Sequence, residues 1–135
     1  MSSIDNAPLS INACRCGSGK DYSNCCRPII KDFGLAKTTE QLMRSRYTAY
    51  TQGNMAYIKQ TMCGNALKDY EVRKKMMLTD SRKWAGLVIH SSRTLKKRGY
   101  VEFTAIFYRD GTRLNIREHS VFKKINGRWF YVDRL

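Results

Sequence analysis

The stretch Val121-Phe122-Lys123-Lys124-Ile125-Asn126-Gly127-Arg128-Trp129-Phe130-Tyr131-Val132-Asp133 sets the architecture of the C-terminal half of this 135-residue chain. Two runs rich in β-branched and aromatic residues flank Asn-Gly, the pair best suited to a two-residue type I′ turn because both positions need positive φ. The last two strands are therefore expected to be antiparallel neighbours. The same reading extends upstream to strands at 84–93, 100–109, 113–125 and 128–133, divided by Lys96-Lys97-Arg98-Gly99, Asp110-Gly111 and Asn126-Gly127. In the second of these, Val101, Phe103, Ala105 and Phe107 share one face, and Tyr100, Glu102, Thr104, Ile106 and Tyr108 the other.

Ahead of the strands the hydrophobic period is helical. Thr38 with Gln41 three residues later is a capping-box pattern, and Leu42, Met43, Tyr47 and Tyr50 recur at helical spacing until Gly53, which predicts a helix over 39–52. Asn54 can cap a shorter helix running to Met62, and residues 65–80 allow a helix or an irregular loop. Helices first and an antiparallel meander after give an α+β fold, with helices packed on one side of the sheet.

Between Ala13 and Arg27 four thiols fall within thirteen residues: Cys14-x-Cys16, an eight-residue gap, then Cys25-Cys26. The gap, Gly17-Ser18-Gly19-Lys20-Asp21-Tyr22-Ser23-Asn24, supplies the glycines a tight loop needs around a metal ion. A structural Zn²⁺ site on Cys14, Cys16, Cys25 and Cys26 is the leading reading, and a closed four-ligand site leaves no position for substrate. An iron–sulfur or redox role is the competing one. A disulfide framework is disfavoured, since residues 1–13 carry no signal-peptide pattern and a cytoplasmic location, with reduced thiols, is expected. Cys63 reads as a small buried hydrophobe.

The chain is strongly basic, with 25 Lys and Arg against 11 Asp and Glu and a formal net charge of +14. Residues 1–30 hold three basic and two acidic residues, whereas 31–135 hold 22 and nine, so the positive field belongs to the second part. Such a field suits a ribosome or RNA surface, anionic lipid or an acidic protein, and equally serves solubility. The longest apolar run, near 84–89, is far short of the roughly 20 residues of a membrane helix.

The run Cys14-Arg15-Cys16-Gly17-Ser18-Gly19-Lys20-Asp21-Tyr22-Ser23-Asn24-Cys25-Cys26 resembles the SEC-C motif, the zinc-binding knuckle also found at the C-terminus of the SecA translocase motor. It matches at every ligand position and departs at Asp21 and Ser23, where the motif carries lysines. Together with Leu42-Met43-Arg44-Ser45-Arg46-Tyr47-Thr48-Ala49-Tyr50, Trp84-Ala85-Gly86-Leu87, Val101-Glu102-Phe103, Arg117-Glu118-His119-Ser120-Val121-Phe122 and the final strand, the chain resembles the YchJ family. That resemblance implies a SEC-C knuckle at 1–30 joined to a nuclear-transport-factor-2-like (NTF2-like) domain at 31–135, a cone in which a curved sheet wraps helices and often leaves a pocket.

Strand alternation and helix spacing gather Arg44, Tyr47, Trp84, Glu118, Ser120, Trp129, Tyr131 and Asp133 as candidate pocket residues, with Glu118 and Asp133 as candidate general bases. The same aromatics would fill any sheet core, and Glu118 could pair with Arg44 or Arg117. His119, the lone histidine of its stretch, reads as exposed or hydrogen-bonded, and basic and aromatic residues alternate on the strands without an RNA-binding motif. Two functional classes follow, of which the first is the leading reading and the second its alternative. One is a zinc-knuckle adaptor docking on an acidic macromolecular partner such as a ribosome, chaperone or export component; the other is a small-molecule-binding or enzymatic cone capped by the knuckle.

Overall fold

A computed structural model describes residues 11–79 and 81–135. After a 3-10 turn at Tyr22–Asn24 come α1 (Cys26–Lys31), a second 3-10 turn (Phe33–Leu35), α2 (Thr39–Thr51), α3 (Met55–Gln60), α4 (Gly64–Lys68) and α5 (Tyr70–Thr79). Four strands follow, β1 (Lys83–Thr94), β2 (Arg98–Arg109), β3 (Thr112–Ile125) and β4 (Arg128–Arg134), paired in sequence order as an antiparallel meander.

Local chemistry sets these boundaries where the sequence placed them. Thr38 accepts a hydrogen bond from the Gln41 amide at 3.1 Å, and the Gln41 side chain accepts from the Lys37 amide at 2.6 Å, one residue earlier than in a reciprocal capping box. Asn54 caps α3 through Tyr57 N at 3.1 Å. Of the stretch that allowed a helix or a loop, residues 65–68 and 70–79 are helical, in α4 and α5. Both two-residue turns have the positive φ that type I′ demands, 52° and 79° at Asp110-Gly111 and 51° and 80° at Asn126-Gly127.

Gly99 is a correction. It was expected in the first hairpin loop, but Arg98 and Gly99 belong to β2, and the loop is Leu95-Lys96-Lys97. A Cβ at Gly99 would collide with Thr39 Cγ2 and lie 2.8 Å from the Arg93 carbonyl. The missing side chain lets the start of α2 press onto the sheet, where Thr39 N donates to Thr94 Oγ1 at 3.1 Å and the two hydroxyls meet at 3.0 Å.

The sheet curls around the helices. Val101, Phe103, Ala105 and Phe107 of β2 are all buried, as the alternation required. Register shifts leave one unmatched residue at Ala85 and His90 in β1 and at Val132 in β4, and such bulges sharpen twist and bend a sheet. The edge of β4 is covered by the chain leaving α3, with Tyr131 N donating to Thr61 O at 2.9 Å and Cys63 N to Tyr131 O at 3.0 Å. Cys63, expected to be buried, is half-buried at this edge and stays outside the cysteine cluster. Cys14, Cys16, Cys26 and Ile29 belong to the same core as Leu42, Tyr47, Phe103, Phe122 and Trp129, so the N-terminal segment and the cone share one interior.

The close approach at Gly99 generates a test. Gly99→Ala is expected to lower stability by about 1–3 kcal/mol, the usual range for overpacking, in urea titration. A midpoint equal to that of the parent would show that α2 can back away from the sheet at no cost.

Candidate metal centre and pocket

The cysteine cluster is assembled by a short hairpin and a helix start. Cys14 N donates to Lys20 O and Tyr22 N to Asn12 O, both at 2.8 Å, and Gly17 and Gly19 turn the chain at φ of 78° and 86°. Cys25 and Cys26 then enter α1, so that all four Sγ atoms lie within 4.8 Å of one another. The Cys16–Cys25 and Cys25–Cys26 sulfur distances are 3.6 and 4.0 Å. A tetrahedron with metal–sulfur bonds of about 2.3 Å has edges of about 3.8 Å, so the cluster has the size of a four-thiolate site.

Hydrogen bonds with Cys16 and Cys26 pull the Cys14 thiol far down, while bonds to Cys14 and Cys16, and then burial, push Cys26 far up. Burial, partly offset by a contact with Ser18, raises Cys25. Without a cation the group must share its protons; a divalent ion lets all four ionise together. Outer contacts suit thiolates as well. Thr48 Oγ1 donates to Cys26 Sγ at 3.3 Å and lies 3.7 Å from Cys14 Sγ, and Ser18 Oγ is 3.1 Å from Cys25 Sγ. These four residues could hold a metal ion.

Arg44 belongs to this centre and not to the pocket where the sequence placed it. Its Nη1 donates to Cys16 O at 2.7 Å and its Nε to Glu40 at 2.9 Å, which clamps the knuckle onto α2. The Arg44 guanidinium in turn holds the Glu40 carboxyl below its usual range.

On the other side of α2 the cone is hollow. A cavity of about 490 Å³ lies between α2, α5 and the concave sheet face, and five of the eight candidate residues line it: Tyr47, Trp84, Glu118, Ser120 and Tyr131. Ring centroids of Tyr47 and Tyr50 lie 5.7 and 5.8 Å from that of Trp84, forming an aromatic wall. Glu118 accepts from Ser120 Oγ at 2.6 Å and from the Tyr131 hydroxyl at 2.8 Å. Burial, then the Glu118 charge, pushes the Tyr131 phenol up to about 12, so it stays a proton donor at neutral pH.

Trp129 and Asp133 are not in the lining. Trp129 is only 1% exposed and packs solidly into the core, its Nε1 without a hydrogen-bond partner among the described residues. Asp133 is displaced by the bulge at Val132. Tyr131 pairs with Phe122 and Arg134 with Ser120, so the extra residue reverses the alternation and brings Arg134 to the inner face. The Asp133 carboxylate instead accepts from Asn65 Nδ2 at 3.1 Å and from the Arg134 amide at 2.8 Å, which together lower its pKa and leave it no place as a buried base.

Sequence reasoning missed Arg46, Tyr50 and Arg73, which also line the cavity. A signal was present for Arg46, which lies one turn from both Leu42 and Tyr50 on the apolar stripe of α2, an unusual position for an unpaired guanidinium. Arg73 lies in the basic run Arg73-Lys74-Lys75, a pattern that by itself suggests a solvated face, and nothing in its local sequence distinguishes it from Lys74 or Lys75.

A cysteine cluster of SEC-C type set against a hollow NTF2-like cone defines the class of protein. Residues 38–134 match the family described as YchJ, middle NTF2-like domain. The chain belongs to the YchJ family, whose curated members carry the name UPF0225. It is 39% identical over 134 residues to a UPF0225 protein of Haemophilus influenzae, covering 98% of this chain and 83% of that one. A Geobacter sulfurreducens relative is 34% identical over 125 residues, 90% of this chain and 78% of the other. Among solved structures, a SEC-C motif containing protein from Rhodopseudomonas palustris superimposes with a TM-score of 0.80 at 35% identity, covering 90% and 96% of the two chains. A SEC-C motif containing protein from Psychrobacter arcticus gives 0.73 at 26% identity over 93% and 82%.

The centre makes two linked predictions. Elemental analysis of the purified chain is expected to find about one metal ion per molecule and Cys16→Ser far less; parental metal content in that variant would remove Cys16 from the ligand set. Thr48→Val, which keeps the shape and deletes the hydroxyl, should weaken metal retention against a chelator about 10-fold or more. Unchanged retention would mean that the Thr48 contact does not support the thiolates.

Proposed function

We propose that this protein is a small-molecule-binding cone whose N-terminal cysteine cluster holds a structural Zn²⁺. The observation that carries the reading is the cavity itself. At about 490 Å³, with aromatic walls and a few convergent polar groups, it has the size and chemistry of a ligand site, where a cone filled by its own side chains would have had none. Four thiolates favour zinc, and a closed shell of four leaves the ion no catalytic position. The ion would supply free energy that fixes residues 12–31 against α2. Because Cys14, Cys16 and Cys26 are part of the shared core, the knuckle acts as a staple for the cone's roof. Free thiols at this density fit a reducing, cytoplasmic setting.

A second reading, docking on an acidic macromolecular partner such as a ribosome, chaperone or export component, is favoured by the net charge of +14. Among the described residues Arg93, Lys96, Lys97, Arg98, Lys123 and Lys124 are exposed at one end of the sheet. This reading predicts a co-purifying partner released by moderate salt.

The cavity reading is tested by screening small metabolite-like compounds for thermal stabilisation of the zinc-loaded full chain, beside Ala105→Phe. Ala105 lines the cavity and is 4% exposed, so a phenyl ring there fills the space with apolar atoms. Binders to the parent that fail on the folded Ala105→Phe variant are the expected result. Binders that act equally on both would place ligand binding outside the cone.

A further inference from the structure

The cavity lining is dense in guanidinium groups. Arg46, Arg73, Arg82 and Arg134 face it alongside two carboxylates, Asp69 and Glu118. Glu118 is engaged by Ser120 and Tyr131, and Arg134 approaches it at 3.9 Å while remaining 60% exposed. Arg46 differs in kind. It is 2% exposed, its Nη1 donates to Ile58 O at 2.9 Å and to Thr61 Oγ1 at 2.5 Å, and its guanidinium lies 4.8 Å from the Tyr131 ring centroid. Among the described residues it has no carboxylate partner, and no hydrogen bond leaves Nε or Nη2. Buried guanidinium groups are ordinarily paired, because an uncompensated charge away from water is costly. One helical turn further along α2, the Tyr50 hydroxyl is buried and also lines the cavity; its oxygen stands beside the Arg73 guanidinium, and its proton finds no acceptor among the described residues.

Two unsatisfied donors on one cavity wall describe an acceptor that is not part of the protein. The Nε–Nη2 edge of a guanidinium presents two parallel N–H groups spaced to match the two oxygens of a carboxylate. Glu118 on the same lining disfavours a second negative charge on the ligand. The remaining wall, with Tyr47, Trp84, Phe103 and Ile116, suits a flat apolar body. We propose that the cavity binds a small organic monocarboxylate with an aromatic or short apolar body, its carboxylate seated on Arg46 and accepting a further hydrogen bond from Tyr50. The assignment rests on the reading of the cavity as a ligand site and adds the chemical class of its occupant.

The experiment is an NMR titration of the ¹⁵N-labelled, zinc-loaded full chain with three probes: phenylacetate, its neutral analogue phenylacetamide, and inorganic phosphate. Phenylacetate is expected to shift resonances of α2, β2 and β3 saturably, with phenylacetamide at least about 10-fold weaker and phosphate weaker again. Tyr50→Phe deletes one oxygen and keeps the ring; it should weaken phenylacetate about 3- to 10-fold and leave the thermal midpoint unchanged or higher. Arg46→Gln would also remove the bonds to Ile58 and Thr61 and put folding at risk, so the acid–amide comparison and Tyr50→Phe carry the test. Equal binding of acid and amide overturns the anion assignment while the cavity remains a ligand site. Parental affinity in Tyr50→Phe overturns the seat proposed for the carboxylate. Phosphate binding as tightly as phenylacetate overturns the organic body. Absence of shifts with all three probes overturns this assignment, while the cavity reading beneath it is decided separately by the thermal screen of the parent against Ala105→Phe.

Discussion

The packing of the cysteine cluster against α2 is the contact on which the rest of the molecule depends. Thr48 stands at its centre, with no exposure to solvent and its hydroxyl directed at Cys26. One turn before it, Arg44 grips the Cys16 carbonyl. As thiolates, three nearly buried sulfurs would be costly in a small domain unless a cation neutralised them together. The fold has placed its most demanding chemistry against its central helix, which fixes that helix from outside.

Helix α2 has a different task on each side. Its first residue, Thr39, is fastened to the end of β1 over the bare backbone of Gly99. Residues 44 and 48 face the knuckle, while 43, 46, 47 and 50 face the hollow of the cone. The helical repeat produces this division, since at about 100° per residue 43, 46, 47 and 50 fall within one arc of the helix and 44 and 48 within the arc beside it. Whatever holds the sulfurs in place therefore also sets the height and rotation of Arg46 and Tyr50 above the sheet. The link between the two sites is one rigid element carrying both.

Much of this was legible in the chain because the signals are local. Asn-Gly and Asp-Gly turns, the Thr38 and Asn54 caps and the thiol spacing each depend on a few consecutive residues, and the structure follows all of them. The parts that escaped depend on partners distant in sequence. Gly99 looked like turn punctuation, and only the arrival of Thr39 from sixty residues away explains it. Asp133 and Arg134 exchange faces because of a bulge at Val132, whose sequence carries no glycine or proline to announce it. Arg44 and Arg46 are two residues apart with similar neighbours. Which of them enters the cone follows from the phase of the helix against a knuckle whose docking site no local pattern specifies.

The two tryptophans occupy contrasting surroundings. Trp84 borders the hollow, with the Arg82 guanidinium 5.4 Å from its ring, whereas Trp129 is sealed in the packed interior. Indole emission shifts with the polarity and charge around the ring, so the molecule contains two optical reporters with separate duties. One responds to what enters the cone, and the other changes only when the whole body loosens.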